Sequence, residues 1–423
     1  MDTISTTENE SKLSLSQLSR SLGPGIMMAT AAVGGSHLVA STKAGAIYGW
    51  QLVALILLVN LLKYPFFRAS VQYTVGTGES LVEGYAKLGH AYLWLFASMN
   101  IICGVITTGA LLLFSASLLE YFIPFKVSIT TLCSIILAFC IGILIAGHYK
   151  ALNTVSKSIM VVLIVSTLTA VMIATNNPIE VPSSFESPSP WSMAGIGFII
   201  VMMGWMPAPM EISTVTSMWL KSQQKQSEVT AQSALFDFNI GYIGTALLAI
   251  VFLALGALVL HGSDLEFSKS GLGFSHQLVS LYTSTIGEWS RYLIATVAFL
   301  CIFGSTITVI DGYSRAISES QRLLQDQTKI NPKVTQIWMI VISIAALSII
   351  VFWASSLMTM LDFAMAIAFI TAPFFALLNF LLVSQTELPK YLALSKPMKW
   401  LSIAGLIYLF SFLAVFLWWR SLV

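Results

Sequence analysis

Charge is what this sequence has least of. Only 9% of its 423 residues are Asp, Glu, Lys or Arg, against about 25% in ordinary soluble chains. Its residues are 57% hydrophobic and the mean hydropathy is +0.84, which excludes a water-soluble globular domain. The net charge of +2 says nothing about nucleic acid, no basic cluster stands out, and no nucleic-acid partner is expected. Cysteine is scarce. Cys103, Cys133, Cys140 and Cys301 all fall in apolar runs without metal-type spacing, and read as small core residues. No phosphate-binding loop is present: "VGTGES" at Val75–Ser80 has the glycines but no lysine, and "GLGF" sits in an expected outer loop. A nucleotide-driven pump is thereby disfavoured, nothing requires a cofactor, and enzymatic activity is not expected. Residues 1–20 are polar, lack a secretory signal and read as a cytoplasmic tail.

What is there is long apolar segments. A span needs roughly 20 such residues, and eleven segments qualify: 24–46, 48–70, 92–119, 127–148, 155–175, 191–219, 232–261, 287–313, 334–354, 357–384 and 398–419. With the N-terminus inside, the cytoplasmic side receives Lys12, Arg20, Lys63, Arg68, Lys87, Lys150, Lys157, Lys221, Lys225, Arg315, Arg322, Lys329, Lys333, Lys390, Lys396 and Lys399. The outer side receives only Lys43, Lys126, Lys269, Arg291 and Arg420. Basic residues favour the cytoplasmic side. The expectation is an all-α, multi-pass protein of the cell membrane with its N-terminus inside and its C-terminus outside.

Two spans carry interruptions. Span 1, "GPGIMMATAAVGGSHLVASTKAGAIYGW", has Gly34, Gly35 and Ser36 near its middle, followed by His37. Span 6 contains "GWMPAPMEIS", with Pro207, Pro209 and then Glu211. Adjacent glycines weaken a helix by roughly 1 kcal/mol each, and proline removes a backbone donor. Taken singly, the glycines fit close helix packing and the prolines a kink. Together they head two five-span sets, 1–5 and 6–10, and matched breaks of this kind point to an inverted-repeat transporter with its site between them. The expected organisation is a tail over 1–20, repeats over 21–175 and 190–384, and a last helix over 398–423.

These segments resemble the Nramp metal-ion transporters. The first span and "GWMPAPMEIS" are similar to that family's first and sixth helices, and "APFFALL" at Ala372–Leu378 to its tenth. The resemblance covers residues 20–385. It implies a LeuT-type 5+5 inverted repeat with broken helices 1 and 6, and proton-linked import. The family's residues carry over poorly. Its Asp-Pro-Gly-Asn metal motif matches Gly34, Gly35, Ser36 and His37 here. Its Met-Pro-His motif matches Met206-Pro207-Ala208, its second histidine Ser213, and its helix 10 glutamine Thr371. The acidic residues expected in span 3 and the arginines expected in span 9 are missing.

Ionisable residues within the spans are then His37, Lys43, Glu211, Asp237, Asp311 and Asp362. Asp237 and Asp311 read as a cap or loop-anchoring pair, Asp362 as interfacial, and Lys43 as snorkelling outward. One reading of the rest is a small organic solute bearing a carboxylate. Gly34 and Gly35 let it approach the backbone. Ser36, His37, Ser213, Thr214 and Thr371 orient it, while Trp205, Met206 and Met210 form the apolar wall. Glu211, with His37, handles the coupling proton; sodium at the freed carbonyls of span 1 is the other option. The alternative keeps a transition metal on His37, Met206 and Glu211. Met206 and Glu211 are five residues apart, about 140° around a helix, so that reading needs span 6 to unwind. A regulatory scaffold without cargo is a third.

Overall fold

The structure is a computed structural model that describes residues 22–147, 149–177, 182, 184–263 and 266–422. The expected tail over 1–20 lies outside the described residues. All regular structure in the described residues is helical. We call the face where span 1 begins the near face and the opposite one the far face.

Span 1 is Pro24–Ala32, a π turn Ser36–Ser41 and Thr42–Tyr48. Span 2 is Val53–Thr77, span 3 His90–Glu120, span 4 Ile129–Ile145 and span 5 Tyr149–Asn176. Span 6 is Met193–Trp205 and Ile212–Gln224. Span 7 is Ala231–Val259, span 8 Arg291–Leu324, span 9 Pro332–Trp353, span 10 Leu357–Gln385 and span 11 Lys396–Leu422. Two helices lie between spans: Leu81–Leu88 at the near face and Gly271–Ile286 at the far face. Hydropathy missed the first because it is short and amphipathic. A capping box fixes its start, with Ser80 and Glu83 each bonding the other's backbone N–H.

The breaks stand where the sequence places them, in the first span of each five-span set, and the architecture is the LeuT-type 5+5 inverted repeat plus one helix. Span 1 crosses span 7 at two glycine contacts. A Cβ on Gly25 would stand 2.3 Å from Asp237 O and one on Gly241 2.2 Å from Gly25 O; nearer the far face the pair is Gly45 and Gly256, at 1.9 and 2.1 Å from backbone oxygens. Helices without other driving force between them associate through such small-residue contacts. Span 3 is enclosed, with 83% of its apolar window buried, whereas spans 9 and 11 reach only 28% and 22% and form the rim.

Several charges differ from the sequence reading. Lys63, counted among the cytoplasmic cations, stands inside span 2 with no exposed surface. Span 2 continues to Thr77 rather than residue 70, because its polar last turns pack against protein instead of meeting water. Asp237 and Asp311 do not act together, although Asp237 does have the capping role expected of it. Asp237 accepts from Gly23 N (2.9 Å), Gly25 N (2.6 Å) and Ile26 N (3.3 Å), so it caps span 1 from span 7. Asp311 takes Arg315 Nε on both oxygens, at 2.7 Å each. Asp362 faces Lys43 at 3.7 Å near the far face.

Candidate functional site

The two breaks and spans 3 and 8 line a narrow pocket whose free volume, about 20 Å³, holds roughly one water molecule, so a larger solute requires it to widen. Its wall includes Gly34, Gly35 and Ser36 from span 1, Trp205, Pro209 and Ile212 from span 6, Thr107 and Leu111 from span 3, and Ser305, Val309 and Tyr313 from span 8. No charged side chain is in this wall.

Span 1 stops at Ala32 because Gly34 and Gly35 offer little helix propensity. The chain restarts as a π turn, whose wider spacing is met by Ser41 Oγ donating to Ser36 O and Thr42 Oγ1 donating to His37 O. At the break the N–H groups of Gly35 and Ser36 have no hydrogen-bond partner among the described residues. Gly35 also makes room: a Cβ there would meet Trp205 Cζ3 at 2.5 Å. Trp205 Nε1 and Ser305 Oγ, both buried and both in residues of the wall, are likewise unpartnered. Four polar groups beside the cavity thus have unspent hydrogen-bonding capacity, which a buried group retains only at a cost of about 1–3 kcal/mol.

The other sequence candidates stand elsewhere. His37 points from the π turn to span 7. Its Nε2 lies 2.9 Å from Thr245 O, its Nδ1 2.7 Å from Ser36 Oγ, and its ring meets Phe252 edge-on at 6.0 Å. With its proton on Nε2 a neutral ring donates to the Thr245 carbonyl, while the single proton of the Ser36 hydroxyl has both Ala32 O at 2.6 Å and His37 Nδ1 within reach and serves one of them at a time. Glu211 faces the other way. Tyr313 Oη donates to its Oε1 at 2.7 Å, and Cys103 and Lys63 also face it. Ser213 Oγ accepts from Asn379 Nδ2 at 2.9 Å, and Thr371 Oγ1 lies 3.4 Å from Cys103 Sγ. Met206, Met210 and Thr214 are buried outside the cavity wall. The structure therefore brings Gly34, Gly35, Ser36 and Trp205 together. His37 stands apart from Met206 and Glu211, which both meet Lys63, and no cluster of three His, Cys, Asp or Glu suited to a metal occurs among the described residues.

A model of the Nramp family, described as natural resistance-associated macrophage protein-like, matches residues 25–419. The chain belongs to the Nramp family. An uncharacterized protein of Pasteurella multocida (strain Pm70) is 47% identical to it over 399 residues, 94% of this chain and 91% of that one. A manganese transporter of Eremococcus coleocola, solved as a point mutant, superposes with a TM-score of 0.70 at 13% identity, over 94% of this chain and 86% of that one. Mhp1, a nucleobase-cation-symport-1 family transporter in a closed conformation with bromovinylhydantoin bound, superposes at 0.59 with 12% identity, over 95% and 93%. At these identities the likeness is one of fold.

Sequence reasoning missed Thr107, Ser305 and Tyr313, which also line this pocket, and Lys63, which meets Met206 and Glu211 at the break of span 6. Lys63 was detectable, since a lysine in mid-span is rare enough to be read as functional. Tyr313 was not, because an aromatic residue in an apolar helix is ordinary until its neighbours are known.

Proposed function

We propose that this Nramp chain is a proton-coupled secondary importer whose cargo is a small organic solute with a carboxylate, bound between the breaks of spans 1 and 6. One observation carries the reading: a wall without charge but with unpartnered N–H groups at Gly35 and Ser36, beside Trp205 Nε1 and Ser305 Oγ. Donors clustered at a helix break suit an anionic oxygen pair. Trp205, Leu111, Val309 and Tyr313 offer apolar and aromatic surface to the remainder of the solute. A bare divalent ion would find no carboxylate and no imidazole here. The fold itself accommodates organic ligands, as the hydantoin in Mhp1 illustrates. The excess of basic residues in near-face segments supports an N-terminus inside the cell.

Thermal stability of the purified protein tests the cargo class. Amino acids, aromatic carboxylates or hydantoin acids should raise the unfolding temperature, and Ser305→Ala should weaken that response several-fold. A stabilisation by micromolar Mn²⁺ or Zn²⁺ that disappears in Met206→Ala would replace this reading with the metal one.

A further inference from the structure

Lys63 has no role in the reading so far. Its ammonium donates to Met203 O at 2.6 Å and Met206 O at 2.9 Å, the last carbonyls of the first half of span 6. Glu211 stands on the other side of the same break, at the N-cap of the second half. Each charge meets the helix end whose dipole it complements. The two interact through space but form no ion pair within 4 Å among the described residues.

The groups facing Glu211 are Lys63 from span 2, Cys103 from span 3 and Tyr313 from span 8. Glu211 is not in the cavity wall, and its Oε2 has no hydrogen-bond partner. Tyr313 belongs to both places. Its hydroxyl donates to Glu211 Oε1, it forms part of the wall, and Thr107, also in the wall, adjoins its hydroxyl.

We propose that Tyr313 is a two-position hydroxyl tying a proton on Glu211 to cargo in the cavity, with Lys63 as the fixed counter-cation. This rests on the transport reading above. An ionised carboxylate only accepts, so it holds the Tyr313 O–H toward itself. A protonated Glu211 instead donates its new O–H to the Tyr313 oxygen. The tyrosine proton stays on its oxygen but turns toward Thr107 and the cavity, where a cargo carboxylate accepts it. Charge favours the same order. With Glu211 ionised and Lys63 protonated the break is neutral. Adding the proton leaves one positive charge, and an anionic cargo cancels it. Proton and cargo therefore load together.

Infrared difference spectroscopy of the full chain in liposomes tests this, with benzoate as the probe and calorimetry to establish its binding. Acidification should produce a carboxylic-acid band that is absent in Glu211→Gln. Tyr313→Phe should move the band in frequency, through the lost hydrogen bond. Lys63→Gln should show it already at neutral pH, and Lys63→Arg should restore the wild-type profile. Benzoate should enlarge the band at constant pH in the wild type and not in Tyr313→Phe. A band unchanged by Tyr313→Phe, or benzoate that binds without enlarging it, overturns the relay. Benzoate and amino acids that do not bind the wild type at all overturn the cargo reading instead.

Discussion

Gly35 shows how much one absent methyl group decides. Its Cα lies against the Trp205 ring, and an added Cβ would sit 2.5 Å from Cζ3. The indole is rigid and its own residue ends a helix at a proline-rich break, so it has little room to yield. Gly35→Ala should displace Trp205 into the cavity and reduce uptake at least tenfold while the protein still folds. Gly34→Ala should be milder, because its Cβ would crowd Ser305 Oγ at 3.2 Å and otherwise make ordinary contact with Ile302 Cδ1 at 3.5 Å. Uptake assays beside size-exclusion profiles check both, and equal losses would remove Trp205 from the argument. The neighbouring His37 illustrates the reverse: a residue type rich in chemistry whose nitrogens are already occupied by Ser36 and Thr245.

At the level of elements, the short helix Leu81–Leu88 ties the near-face ends of spans 6 and 8 together. Glu83 accepts from Ser80 N at 2.7 Å and from Ser80 Oγ at 2.9 Å, takes Lys221 of span 6 directly, and has Arg322 of span 8 at 3.7 Å. Burial pushes the Glu83 carboxyl up, but the hydrogen bonds from Lys221 and Ser80 outweigh it and hold the group below its ordinary 4.5. A carboxyl depressed in the folded state contributes stability that is complete above its unfolded value and is lost as pH falls through its folded value. Acidification below about pH 4.5 should therefore release this helix from span 6. Hydrogen exchange over Leu81–Leu88 should rise in that window for the wild type. Glu83→Gln should show high exchange at neutral pH already and little further change.

Across the whole molecule, spans 1 and 7 are locked in register by paired glycines, and Asp237 fastens the near-face end of span 1 with three backbone contacts. That clasp opposes any swing of the first half of span 1 away from the cavity. Asp237→Asn keeps one acceptor oxygen and sets an NH2 donor against a backbone N–H in place of the other, a change of about 1 kcal/mol or more, and should shift the population toward a conformation open at the near face. A cysteine placed at Ala31, in the cavity wall, reports it: its reaction with a polar thiol reagent should accelerate about fivefold or more in Asp237→Asn. An unchanged rate would mean that the clasp does not hold the gate.

The number of spans, the two broken ones and the five-plus-five plan are all legible in the chain before it folds. Hydropathy, glycine pairs and prolines act locally, so they are legible along the chain. The sequence also marked Gly34, Gly35, Ser36 and Trp205 as residues of the breaks. Which way side chains face once a helix unwinds depends instead on packing between spans. His37 and Glu211 each follow a break directly, yet one turns to span 7 and the other to spans 3 and 8, because a π turn and a proline-rich stretch abandon the fixed angle per residue on which sequence spacing relies. The same holds for Lys63, Tyr313 and Ser305. Their meaning comes from carbonyls, a carboxylate and a cavity supplied by other spans, contacts that no local pattern encodes.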